Sequence, residues 1–271
     1  MNTPRNLICS LGLLCSGAAS AMTVTPFGVD PSAIGKPESA FTASYIDFSY
    51  QATVDQQAGV GGSAPFQEDG IGFFSTFQHP NLGNPVSGTG LNSSYKLYIR
   101  FSGEGTTSAN LSGGIDGSFT SFSAQIYADV GMDTTFSLPG VGAGDGDGDL
   151  TVAGNGDDIL VAQSVGLLTS QFRVFPGLAN GDFDVEMRMV SVDVDPIAPG
   201  DQVFFTDPFS LVATLKVDLN GVNTQLNGFA APPAPFTDAS ITGSGNLSAV
   251  PIPSALALMS IGLLGLARTR S

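Results

Sequence analysis

Apolar and polar side chains alternate one by one along several stretches of this 271-residue chain, and that period limits what the chain can fold into. Tyr95, Leu97, Ile99 and Phe101 fall on one side of an extended backbone, with Lys96, Tyr98 and Arg100 on the other. Phe122, Ala124, Ile126, Ala128 and Val130 repeat the pattern against Gln125, Tyr127 and Asp129. Phe183, Val185, Met187 and Met189 repeat it against Asp184, Glu186 and Arg188, and residues 209–219 do so again. A strand repeats every two residues and keeps such faces apart, whereas a helix, with 3.6 residues per turn, would mix them. Further strands are predicted over 41–54, 71–78, 159–162, 171–175 and 239–249, the first rich in aromatic and β-branched residues. Residues 55–70 and 79–90, dense in glycine and other turn formers, read as loops.

Roughly ten strands separated by Gly, Pro and Asn turns, with no amphipathic helix between the termini, predict an all-β fold, an antiparallel sandwich or barrel. The alternation fits either. The run FAAPPAPF (229–236) reads as a linker between domains or as a loop lying against the sheet.

The ends of the chain differ from its middle. Residues 1–21 carry one basic residue, Arg5, then an apolar stretch from Leu7 to Cys15, then Ala19-Ser20-Ala21. This is the layout of a secretory signal peptide, helical in its apolar part, with a small-x-small cleavage site at Ala19 and Ala21. Leu14 precedes Cys15 where a lipoprotein signal needs a small residue. Both cysteines, Cys9 and Cys15, lie in the leader, so a mature body over 22–249 contains no disulfide, thiolate nucleophile or cysteine-based zinc site. The chain has 24 acidic and nine basic residues, net −15, and three of the basic ones (Arg5, Arg268, Arg270) lie in the terminal segments. The body is therefore more acidic still, which argues against nucleic acid or anionic lipid as its partner and favours attraction for cations.

The last segment, 250–271, opens with Val250, Pro251, Ile252 and Pro253, continues through 14 uncharged residues (254–267), and ends on Arg268 and Arg270. The prolines favour extended backbone and the apolar block favours a helix. From Val250 to Ala267 there are 18 residues, near the lower limit for spanning a ~30 Å bilayer core. By length alone the block fits a buried helix or a short transmembrane helix whose arginines stay at the cytoplasmic face. The order of parts resembles the PEP-CTERM sorting signal of bacterial exported proteins. Ile252 stands where the usual motif has Glu, which makes this the Val-Pro-x-Pro variant. The resemblance implies an exosortase-like membrane peptidase as partner and a transient anchor in the inner membrane.

Within the body, LNSSYKLYIRFSGEGT (91–106), GDGDGDLTVAGNGDDILVA (144–162), FPGLANGDFDVEMRM (175–189) and DPFSLVATLKVDLNG (207–221) are similar to the flocculation-associated PEP-CTERM proteins of floc-forming bacteria. That resemblance implies a secreted or surface-displayed protein working with exopolysaccharide in flocs or biofilm. It supplies no catalytic residue.

Candidate chemical sites are few. Asp145, Asp147 and Asp149 alternate with glycines, and Asn155, Asp157 and Asp158 follow, an oxygen-rich turn of the kind calcium requires. The EF-hand pattern fails, since with Asp145 first the sixth and twelfth positions are Leu150 and Gly156. Residues 154–160 match one unit of the calcium-binding β-roll repeat, but a lone unit has no neighbour to stack on. The segment reads as a solvated loop or a weak calcium site in the extracellular range of roughly 10⁻⁴–10⁻³ M; no other cofactor is expected. His79 is the only histidine, beside Pro80, and no G-x-S-x-G turn presents a serine, so neither a multi-histidine zinc site nor a serine triad is indicated. Tyr95, Tyr98 and Tyr127 would either stack on sugar or cap the edge of the core. Three functions fit: a non-enzymatic matrix protein associated with polysaccharide, a calcium-dependent lectin-like domain, or a secreted polysaccharide hydrolase. The first is favoured.

Overall fold

Extended backbone dominates the protein, as the alternation predicts. The structure, a computed structural model, describes residues 24–79, 84–138, 150–177, 179–194, 202–206 and 215–250, with 215–226 described by their backbone alone. The leader, the tail beyond Val250 and the segment holding Asp145, Asp147 and Asp149 lie outside the described residues.

The strands are β1 (Phe27–Val29), β2 (Phe41–Ala43), β3 (Tyr45–Gln56), β4 (Ser63–Gln78), β5 (Lys96–Ala109), β6 (Ile115–Asp129), β7 (Thr135–Ser137), β8 (Thr151–Ala153), β9 (Ile159–Val174), β10 (Asn180–Ser191), β11 (Leu215–Asn227) and β12 (Phe236–Val250). The eight long ones form one antiparallel sheet curled into a barrel, in the order β10-β11-β12-β3-β4-β5-β6-β9, with β9 pairing back onto β10. One seam is sparse. β6 and β9 pair at their ends, up to Gly117↔Phe172 and again from Gln125↔Gln163. Between those points hydroxyls bridge the backbones: the Phe119 amide donates to Ser170 Oγ at 2.9 Å and the Ala124 amide to Ser164 Oγ at 2.9 Å.

The inner face is apolar and the outer face polar. Ile46, Phe48, Tyr50, Ala52 and Val54 of β3 point inward and are buried, as do Leu97, Ile99 and Phe101 of β5 and Val185, Met187 and Met189 of β10. Asp47 and Ser49, Ser102 and Glu104, and Asp182 and Asp184 take the opposite phase. A lipid-spanning barrel needs an apolar outer belt, and this wall has none among the described residues. No helix among them is long and apolar enough to cross a membrane.

Eight strands leave an interior just wide enough for side chains to fill, provided large ones oppose small ones. Glycine supplies the small partner. Gly70 pairs with Phe101, Gly103 with Phe122, Gly105 with Phe66 and Phe119, and Gly243 with Tyr50. A methyl group added to Gly70 would lie 2.3 Å from the Phe101 ring, and one on Gly103 2.5 Å from that of Phe119. These glycines explain a departure from the sequence reading. Residues 63–70 are strand and not loop, and β5 continues to Ala109, because Gly70, Gly72, Gly103 and Gly105 occupy inward positions where the alternation calls for an apolar side chain. Likewise the two strands predicted at 159–162 and 171–175 are the ends of one strand. Two bulges in β9 leave Leu168 and Val165 without cross-strand partners on β10, 38% and 50% exposed, and the period is lost between them.

The two ends of the barrel differ. At one, Phe27, Val29, Tyr95, Phe204 and Phe205 form a plug with at most 1% exposure, and Phe204 packs edge-on against Phe205 and Tyr95. The Thr25 amide donates to the Ala249 carbonyl there at 2.8 Å, so the described chain enters and leaves at the plugged end. At the other end, residues 229–236 lie against the sheet and do not form a linker. The Phe229 and Phe236 ring centroids are 5.0 Å apart, and Gln56 Nε2 donates to the Ala234 carbonyl at 2.7 Å.

A cleft and a cavity at the open end of the barrel

Opposite the plug, the interior is not completely filled. A cavity of about 50 Å³ remains, walled by Phe66, Phe101, Phe119, Phe122 and Phe172. Their rings interlock: Phe66 meets Phe119 and Phe172 edge-on at 5.2 and 5.1 Å, and Phe101 stacks on Phe122 at 5.6 Å.

Glu68 lies in this aromatic wall. It shares the inward phase of Ala64, Phe66 and Gly70 on β4, pairs with Gly103 and Val54, lines the cavity and is 9% exposed. Removal from water disfavours the charged form, and the neighbouring Asp69 adds like-charge repulsion; together they push the Glu68 carboxyl up to about 8. No hydrogen bond offsets this. The buried hydroxyl of Thr107 at this end is satisfied: Thr107 Oγ1 donates to Gln56 Oε1 at 2.7 Å and to the Ala64 carbonyl at 3.1 Å.

Over the cavity lies a polar cleft of about 740 Å³. Thr107, Phe172, Arg173, Asp182 and Phe183 belong to both walls. The cleft adds Ser63, Thr106, Ser108 and Ser118 hydroxyls, the Gln171 amide and the carboxylates of Asp116 and Asp184. Arg173 Nε donates to Asp116 Oδ1 at 3.2 Å, which leaves the cleft with an excess of negative charge. Hydroxyl, amide and carboxylate groups beside two half-buried rings can hydrogen-bond a polyol and cover one of its apolar faces.

The sequence-predicted site residues lie elsewhere. Asn155 and Asp157 form a short 3-10 turn after β8. Asp158 is committed to the fold: it accepts from Tyr98 Oη at 2.5 Å and from Thr134 Oγ1 at 2.9 Å. Burial raises its carboxyl, and those hydrogen bonds oppose the rise. Among the described residues no three acidic or histidine side chains are grouped to hold a metal. Tyr95 is wholly buried and Tyr98 nearly so; Tyr127 stacks on Tyr98 at 5.2 Å, and Phe136 of the β7–β8 hairpin packs edge-on at 4.9 Å. Tyr95 and Tyr98 build structure and offer no sugar platform, whereas Tyr127 is half-buried. His79 is an exposed loop residue whose amide donates to the Asn84 carbonyl at 3.0 Å. Val250 ends β12, paired with Lys216. Ala19, Ala21, Pro251, Ile252, Pro253, Arg268 and Arg270 lie outside the described residues.

The Tyr98–Asp158–Thr134 contacts pin the β7–β8 hairpin to the outer wall. Tyr98→Phe is expected to lower stability by ~1.5–3 kcal/mol, the usual contribution of a hydrogen bond to a charged group. Denaturant unfolding measures the loss, and amide exchange at Thr135–Ser137 should quicken; unchanged protection there would mean that other contacts hold the hairpin.

Sequence reasoning passed over Glu68, Arg173, Asp116 and Asp182. For Glu68 a signal existed, a carboxylate in phase with Ala64, Phe66 and Phe74, but it was masked by assigning 55–70 to a loop. Compared with known proteins, the chain matches no protein-family model, no curated protein and no solved structure.

Proposed function

We propose that this is an exported, non-enzymatic binding protein of the bacterial cell surface or extracellular matrix, and that it holds exopolysaccharide in the cleft at the open end of the barrel. The cleft carries the reading: about 740 Å³ of hydroxyl, amide and carboxylate surface is a suitable lining for a saccharide. The chain direction supports it. β12 runs away from the cleft, so a membrane tail beginning at Pro251 emerges at the plugged end and the cleft faces away from the bilayer. The leader and the Val-Pro-x-Pro tail supply the route of export, with an exosortase-like peptidase acting on the tail. Calcium would bridge the acidic surface to anionic sugar.

Calorimetry of the mature body with purified exopolysaccharide, with and without chelator, tests the reading. Asp182→Ala with Asp184→Ala is expected to weaken binding ~10-fold or more, as loss of one hydrogen bond to a charged group is worth ~1.5–3 kcal/mol. Unchanged affinity in the double variant would move the site elsewhere. Abolition by chelator together with selection of one defined saccharide on a glycan array would convert the reading to a calcium-dependent lectin, and release of reducing ends would make the protein a hydrolase.

A further inference from the structure

The cavity beneath the cleft has a chemistry of its own. A buried carboxyl without a hydrogen bond is uncommon in a folded protein and calls for an explanation. Glu68 is no relic of a badly phased strand, because β4 keeps its inward register through Ala64, Phe66, Gly70 and Phe74 on either side of it. Glu68 is the one carboxylate of β4 that lines the cavity. That space, about 50 Å³, admits roughly four water-sized atoms, taking 10–15 Å³ for each. Aromatic faces attract cations through their quadrupole, more strongly where water is excluded. The approach is acidic as well: Asp116, Asp182 and Asp184 line the cleft, and its one arginine there is paired with Asp116.

We propose that this cavity binds a small organic cation, an alkylammonium ion whose charge is met by the Glu68 carboxylate and whose carbons lie against Phe66, Phe101, Phe119, Phe122 and Phe172. A neutral apolar guest would gain the rings but leave the carboxyl without a partner. An anion would meet the carboxyl and the acidic approach together. The site lies beneath the proposed polysaccharide surface and shares Thr107, Phe172, Arg173, Asp182 and Phe183 with it, but it does not rest on that reading.

The test is titration of the full mature body with propylammonium, four heavy atoms long, and with 1-propanol as its uncharged counterpart, followed by calorimetry and by the ring-proton shifts of the phenylalanines. Of the charged side chains described, Arg173 from β9 and Asp182 from β10 line the cavity with Glu68, and Asp69 adjoins it on the outer face. Below the Glu68 pKa of about 8 the incoming cation must displace the carboxyl proton. Apparent affinity is therefore expected to rise ~10-fold per pH unit toward pH 8 and then level off, while propylammonium itself stays charged throughout. Glu68→Gln should reduce affinity at least 10-fold at pH 8. Equal binding of 1-propanol, binding without pH dependence, or no ring shift in the wild-type protein at any pH would each overturn the assignment. The pH profile needs no variant, so it decides the question even if Glu68→Gln alters the fold.

Discussion

Between about pH 5 and pH 8 the protein is expected to lose stability as the pH rises, and Glu68→Gln to remove most of that loss. Glu68 titrates near 4.5 in the unfolded chain and near 8 in the barrel. Within that window the folded state holds a proton that the unfolded state has released, so stability falls with increasing pH. The contribution is complete below the unfolded value and gone once the pH passes the folded one. At ~1.4 kcal/mol per pH unit the whole effect, from 4.5 to about 8, is on the order of 5 kcal/mol. Asp47 and Asp158 are also raised by burial, and their slopes have the same sign but begin near pH 3.8, below this window. Urea unfolding at pH 5, 6, 7 and 8, in buffer free of small amines, checks this: the midpoint should fall steadily in the wild type and stay nearly level in Glu68→Gln. Parallel profiles would mean that the carboxyl is solvated in solution.

Gly105→Val is expected to destabilise the barrel by ~2–3 kcal/mol through overpacking, equivalent to roughly 5–10 °C in Tm for a domain of this size. Strand propensity alone predicts the reverse, since valine is favoured in strands and glycine is not. A Cβ at Gly105 would sit 2.2 Å from the Ser118 carbonyl oxygen and 2.4 Å from the Phe66 ring. The ring can turn, but the backbone oxygen must move with its strand. Gly166→Val is the control, because a Cβ there meets nothing within 4 Å, and it should be neutral or slightly stabilising. Thermal melts of both variants decide between packing and propensity. Combining Gly105→Val with Phe66→Leu should cost less than the sum of the two, as expected of side chains sharing one space.

Where one face of a strand is apolar without interruption, the sequence was enough: 96–101, 121–129 and 183–189 all fall in barrel strands, and the predicted spans overran them by one residue each at Tyr95 and Val130. Where the inner face carries glycine it was not, because a Gly–Phe pair across two strands is a fact of register, and register is invisible before strands are paired. The same limit hid Glu68, which reads as part of a polar loop until Gly70 and Gly72 are understood as seats for rings on β5 and β3. In β9 the bulges at Leu168 and Val165 moved side chains between faces and erased the period. Barrel could not be separated from sandwich for a related reason: both require the same alternation, and the difference is whether β9 returns to β10. The cleft was out of reach altogether, since it gathers β4, β5, β6, β9 and β10 at one rim.

Ring closure has a bearing on how copies of the chain meet at high concentration. A flat sheet of eight strands would present two rows of unsatisfied amides and carbonyls on which another chain could polymerise. Here each long strand already has a neighbour on both sides, and the one sparse stretch, between β6 and β9, is sealed by Ser164 and Ser170. Copies brought together would thus meet through side chains and remain separate molecules, and any association between them can be undone without unfolding either.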